Sequence, residues 1–251
     1  MSTLEERRRT AAAGLDGDVA WEGEFARPRV VLQPIAAPSI LGLAAFAGST
    51  FIVASNLAGW WGTPNSGLVL APFAAMFGGL VQLLAGMWAF KARDGVATLA
   101  HGTWGAFWLA YGILNILLAT HVLPAPTPWY HSPEVGFWFF ALAITTAIAM
   151  LAAMTESLAL TAVLGTLAAG SGIVAGAYIY GSLSWAHIAG WVFVISAGCA
   201  WYTCAAMLLA GTTGRTVLPL GKYTRAANAP GGRPVRAIQL EWAEPGIKQG
   251  Q

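Results

Sequence analysis

Residues 158–211 read LALTAVLGTLAAGSGIVAGAYIYGSLSWAHIAGWVFVISAGCAWYTCAAMLLAG, with no Asp, Glu, Lys or Arg anywhere in the run. An α-helix needs about 20 mostly apolar residues to cross the hydrocarbon core of a bilayer, so this run is long enough for two crossings. Tyr180-Gly181-Ser182 supplies the turn between them, because glycine and serine punctuate helices. The two crossings are therefore read as 158–181 and 184–211. Toward the N-terminus four further stretches meet the same length, at 39–60, 67–90, 96–120 and 134–154. Between them lie Gly62-Thr63-Pro64-Asn65-Ser66, then Lys91, Arg93 and Asp94, then Pro124-Ala125-Pro126-Thr127-Pro128, and finally Thr155 and Glu156. Trp129 and Tyr130 flank the proline-rich loop, and such rings favour the membrane–water boundary. The sequence predicts an all-α, polytopic membrane protein with a six-transmembrane-helix bundle per subunit.

Composition agrees. The 251 residues are 57% hydrophobic and only 10% charged, against about 25% charged in soluble domains, and the mean hydropathy is +0.61. A net charge of +2 is too small to point to nucleic acid. The basic residues are unevenly placed. Five (Arg7, Arg8, Arg9, Arg27, Arg29) precede the first crossing, Lys91 and Arg93 follow the second, and six (Arg215, Lys222, Arg225, Arg233, Arg236, Lys248) follow the last. The loops after the first, third and fifth crossings have none. The positive-inside rule then puts both termini in the cytoplasm, which requires an even number of crossings. Residues 1–36 are expected to be a cytoplasmic N-terminal tail, 37–221 the membrane domain, and 222–251 a cytoplasmic C-terminal tail. The N-terminal stretch, mostly polar and holding six acids, lacks the apolar core of a signal peptide.

Lys, Arg and Asp are absent from the six stretches, and Glu134 and Glu156 sit at their ends. That weighs against a proton relay of buried carboxylates and against an acidic selectivity ring. The polar groups inside include Ser49, Thr50, Ser55, Asn56, Gln82, His101, Thr103, Asn115, His187, Ser196, Tyr202 and Thr203. Hydroxyls and amides can donate hydrogen bonds to a carboxylate without the cost of burying a charge, although bonding within and between helices is their commoner use. Dense glycines, among them Gly42, Gly48, Gly78, Gly79, Gly86, Gly190 and Gly198, predict close helix packing. Trp104, Trp108, Trp191 and Trp201 are expected to lie deeper than Trp60, Trp61, Trp129 and Trp185. Cys199 and Cys204 fall on different helix faces, which excludes a disulfide between them and makes them small buried residues. No phosphate loop, metal cluster or nucleophile with a base is found, so no enzyme, cofactor or metal is expected. His101 and His187 leave open a haem held between two helices.

Several stretches resemble the acetate uptake transporter family, which includes the bacterial acetate–succinate symporters of the YaaH type. Near the C-terminus stand His187-Ile188-Ala189-Gly190-Trp191, Ser196-Ala197-Gly198-Cys199-Ala200-Trp201-Tyr202 and Gly214-Arg215-Thr216-Val217-Leu218-Pro219-Leu220-Gly221. In the second helix, Gly78-Gly79-Leu80-Val81-Gln82-Leu83-Leu84-Ala85-Gly86 is similar to the family's glycine-glycine-x-x-glutamine-x-x-alanine-glycine, with Ala89 where a glutamate often follows. Trp104-Gly105-Ala106-Phe107-Trp108 matches tyrosine-glycine-x-phenylalanine-tryptophan, with Trp104 in place of the tyrosine. Ala37-Pro38-Ser39-Ile40-Leu41-Gly42-Leu43 is similar to the motif opening the first helix, without its asparagine.

The resemblance spans roughly 37–221 and implies a multi-pass plasma-membrane transporter, in the bacterial inner membrane, for small monocarboxylates. Acetate comes first, succinate is a further candidate, and protons are a possible co-substrate. It also implies a pore within each subunit and a homo-hexamer in the lipid bilayer. Phe46, Trp104 and Leu167 would form an apolar constriction, and Ser49, Thr50, Asn56 and Gln82 are the candidate carboxylate contacts. Conduction through a channel and proton coupling both remain open. So do a pore for small neutral solutes, a non-transporting scaffold and an electron-transfer subunit.

Overall fold

The computed structural model describes residues 35–63, 65–223, 228 and 230. The chain divides into two units, Met1–Ile35 and Ala36–Gln251. The expected tails, 1–36 and 222–251, lie almost wholly outside the described residues. Within the second unit six helices are long and apolar enough to cross a membrane: α1 Pro38–Leu57, α2 Ser66–Ala92, α3 Gly95–Ala119, α4 Pro133–Ala153, α5 Leu158–Tyr180 and α6 Leu183–Thr213. These are the six predicted crossings, with ends shifted by up to three residues.

The helix ends follow local chemistry. Pro38 and Pro133 open α1 and α4, where proline's missing N–H costs nothing. Asp94 caps α3 by accepting the Ala97 N–H at 2.8 Å, and Ser157 and Ser182 do the same for α5 and α6. The break between α5 and α6 falls at Gly181, whose φ of 67° closes α5 in the left-handed region that glycine adopts without strain. α2 is not uniform. Ala74–Val81 is π-helical between two α-helical pieces, and Pro72 lies just before it. A proline inside a helix removes one backbone donor and crowds the preceding turn, and an inserted π turn is one way to absorb that.

The helices form a closed ring in chain order, with α6 packing against both α5 and α1. Glycines set the closest approaches. A Cβ on Gly190 would lie 2.4 Å from the Ala58 backbone nitrogen, and one on Gly86 would lie 2.8 Å from the Gly102 nitrogen. Gly198 differs from the expectation, because nothing stands within 4 Å of where its side chain would be. It faces outward from α6 and does not bring two helices of this chain together. Trp191 and Trp201 lie on the surface of the single chain. They are 52% and 43% exposed on the outer surface, against Trp60 and Phe51. Depth along a bilayer is not burial inside a bundle, and an apolar ring facing lipid is as stable as one in the core. Cys199 and Cys204 are free and only partly buried, and the Cys204 thiol donates to the Ile40 carbonyl.

Candidate functional site

α1 and α3 run in the same direction, and their inward faces meet level by level. The lowest level pairs Gly42 with His101. The next pairs Phe46 with Trp104, ring centroids 6.3 Å apart and edge to face. The third brings Ser49 and Trp108 together across Gly78 of the π-helical stretch, since a Cβ there would come 2.7 Å from both Ser49 Oγ and Trp108 Cδ1. Every one of these residues except Gly42 and Gly78 carries a buried side chain of defined chemistry: polar, apolar, polar.

At the lower two levels a cavity of about 20 Å³ opens between α1, α2, α3 and α5, walled by Ser39, Phe46, Gln82, His101, Trp104 and Leu167 among others. That volume holds about one water. Acetate, with four heavy atoms, enters only if a side chain moves, so this is a closed form. Phe46, Trp104 and Leu167 are 2–3% exposed and stand together at the apolar level. Trp104 is held in place, because its Nε1–H donates to Thr146 Oγ1 of α4 at 3.0 Å. The indole therefore offers the cavity only its apolar faces and edge.

The hydroxyls at the third level are unusual. Elsewhere in the bundle, serine and threonine side chains donate to their own helix, as Ser171 does to the Leu167 carbonyl and Thr203 to the Cys199 carbonyl. Ser196 reaches from α6 to the Val163 carbonyl of α5. Ser49 Oγ, Thr50 Oγ1, Trp108 Nε1 and Gln82 Oε1 are buried without any such partner. A buried polar group left unpaired costs about 1–3 kcal/mol, so four in one bundle are a substantial expense. Three of the four can donate a hydrogen bond to an anion.

Of the residues singled out in the sequence, Phe46, Trp104, Leu167 and Gln82 share the cavity, and Ser49 and Thr50 lie just beyond the apolar level. Asn56 is not brought to them. It sits at the end of α1, nearly two turns past Ser49, and its amide donates to the Trp61 carbonyl at 2.8 Å, pinning the loop. Sequence reasoning missed Trp108 as an unpartnered donor and Thr146 as the anchor of Trp104. The sequence placed Trp108 only among the deeper tryptophans and did not single out Thr146, and only the relative rotation of α1, α2, α3 and α4 distinguishes them. The haem reading fails on distance. His101 packs at Gly42 and His187 at Gly59, opposite ends of α1, about 25 Å apart at 1.5 Å per residue. One haem cannot span that.

Residues 24–222 match the GPR1/FUN34/yaaH family. The chain is 26% identical over 188 residues to the succinate-acetate/proton symporter SatP of Escherichia coli K12, covering 75% of this chain and 96% of that one. It is 38% identical over 85 residues to acetate permease A of Emericella nidulans, covering 34% of this chain and 28% of the relative. Among solved structures, that of the bacterial acetate channel SatP superposes with a TM-score of 0.69 at 23% identity, over 75% of this chain and all of that one.

Proposed function

We propose that this chain, which belongs to the GPR1/FUN34/yaaH family, carries small monocarboxylates, acetate first and succinate as a further candidate, across a membrane through a pore in each subunit. The carrying observation is the buried sequence of levels in α1 and α3. Phe46, Trp104 and Leu167 form an apolar constriction, and on one side of it stand the unpaired donors Ser49, Thr50 and Trp108. Gln82 stands on the other side, at the cavity. An ionised carboxylate crossing a bilayer must exchange water for other hydrogen-bond donors. Donors left unpaired in the closed form are already prepared to make that exchange, and the relatives named for acetate fit the same chemistry. A scaffold would gain stability by pairing or deleting these groups.

The reading extends to the surroundings. The chain is a multi-pass membrane protein, and we place it in the plasma membrane, the inner one in a bacterium. Both termini lie in the cytoplasm, on the side of Lys91 and Arg93, with residues 1–36 and 222–251 as tails. The homo-hexamer is carried by the family resemblance, and the mass of the solubilised complex tests it. The function itself is tested by uptake of radiolabelled acetate into liposomes holding the purified protein. Saturable uptake, reduced by formate, propionate and succinate, is the expected result. Folded protein with no uptake above empty liposomes would defeat the reading.

A further inference from the structure

His101 is given no chemical role in the proposed function, yet it lies in the cavity wall one helical turn from Trp104. It is 5% exposed. No other residue lining the cavity, among the described residues, has an ionisable side chain. A titratable side chain inside a membrane domain is costly, and it usually marks a functional site. The imidazole has room there only because α1 carries glycine at position 42, where a Cβ would sit 2.5 Å from the ring's Nε2. Its Nδ1 lies 3.5 Å from Gln82 Nε2, and Gln82 Oε1 has no partner. The pair is under-satisfied in its resting form.

We propose that His101 and Gln82 form a binding site for a small carboxylate together with one proton, on the α1 and α3 N-terminal side of the constriction. The proposal rests on the carboxylate-transport reading and says how the charge is handled. In the resting form Nδ1 accepts from the Gln82 amide, and the ring's own proton is on Nε2. A proton arriving from water, or from the carboxylic acid itself, binds Nδ1. Nδ1 then donates, and the Gln82 amide turns to accept it at Oε1, its orphaned atom. The amide N–H groups of Gln82 are released by that turn. They donate to the carboxylate, whose negative charge the imidazolium balances. The loaded site is neutral overall, which removes most of the penalty of holding a lone carboxylate away from water. No covalent bond forms or breaks beyond the transferred N–H or O–H.

Nothing else facing the ring competes for this role. α1 presents Ser39, Gly42 and Leu43, α2 presents Gln82, and α5 presents leucines and a valine. The nearest acids along these elements are Asp94, which caps α3 two turns away and holds the Ala97 N–H, and Glu156, four residues before Leu160. Both lie at helix ends.

The test uses the full chain in nanodiscs, with histidine ring nitrogens labelled and the His101 signals identified by their loss in His101→Gln. Sodium acetate is added at fixed pH between 6 and 8. Binding of proton and anion are linked and reciprocal, so the ratio of protonated to neutral His101 should rise about tenfold at saturating acetate, within the usual range of such couplings. Sodium chloride at equal strength should leave it unchanged. An unchanged ratio with acetate overturns the proposal whatever the protein transports. A second measurement separates it from the transport reading. Acetate uptake into liposomes should bring protons in with it, seen by an internal pH dye, and His101→Gln should lose the proton signal and the response to an imposed pH gradient. Uptake in His101→Gln that still follows the gradient as in the parent overturns the proposal while leaving transport intact. Coupled titration without any uptake keeps the site and defeats the transporter.

Discussion

Replacing Trp104 by alanine is the most direct trial of the constriction. The indole is 3% exposed, in edge contact with Phe46 and with Phe107 at 5.1 Å, and anchored by Thr146. Removing a leucine side chain from a packed core opens about 150 Å³, enough for benzene, and the indole is larger. The existing cavity of about 20 Å³ would merge with that space and run through the apolar level. Each methylene that does not fit a close apolar passage is rejected by roughly 1–3 kcal/mol, or 10–200-fold in rate. Butyrate has two more than acetate, so the parent should discriminate strongly, and Trp104→Ala should raise the butyrate-to-acetate uptake ratio by at least about tenfold. The assay is competitive uptake of the two labelled acids into liposomes, with folding checked by gel filtration and thermal unfolding. A stability loss of about 3–5 kcal/mol is expected as well. Trp104→Phe keeps an apolar plug and should change the ratio little. An unchanged ratio in folded Trp104→Ala would show that the indole does not limit passage, and the level-by-level account of the pore would fall with it.

Other outcomes follow from named contacts. Thr146→Val leaves the Trp104 N–H buried without an acceptor and should cost about 1–3 kcal/mol, whereas Thr146→Ser should restore most of the parent's melting temperature; equal melting for both variants would remove the anchor. Ser49→Ala deletes an unpaired hydroxyl, so stability should hold or rise by up to about 1 kcal/mol while half-saturation for acetate moves to higher concentration. A fall in stability with unchanged uptake would mean the hydroxyl is structural. Gly190→Val must push α6 off the Ala58 backbone and should abolish a folded monodisperse product, while Gly198→Leu should leave the subunit fold intact. Circular dichroism and gel filtration of the two variants decide the matter, and equal damage in both would refute the assignment of the close approach to Gly190.

The crossings were legible because lipid exposure writes a long-range signal, six apolar runs with charges only between them. The α5–α6 break could be placed at Gly181 because a left-handed residue leaves a chemical mark. The π-helical stretch was not legible. Pro72, Gly78 and Gly79 were all visible in the sequence, yet which turn widens depends on the neighbours α2 must clear. Phe46, Trp104 and Leu167 came from resemblance, not from periodicity, since these helices are apolar all round and have no distinct inner face. For the same reason Asn56 and Ser49, seven residues apart on one helix, looked equivalent. One ties a loop and the other is buried, unpaired, beside Trp108. Gly198 and Gly190 were likewise indistinguishable until the rotation of α6 was known.

Phe46 is on α1 and Leu167 on α5, and their side chains share a cavity, yet the two helix backbones do not approach closely; α6 packs against both. Every other neighbour in the ring is also next in sequence, so most of the bundle can assemble from local hairpins as the chain emerges. Among the described residues, the α1–α6 seam closes the ring, joining the first and last helices to be made. Until α6 arrives, no helix bridges α1 to α5. The closed ring is thus completed only with the last helix to be made. A ribosome halted before residue 183 would leave five of the six helices and an open seam.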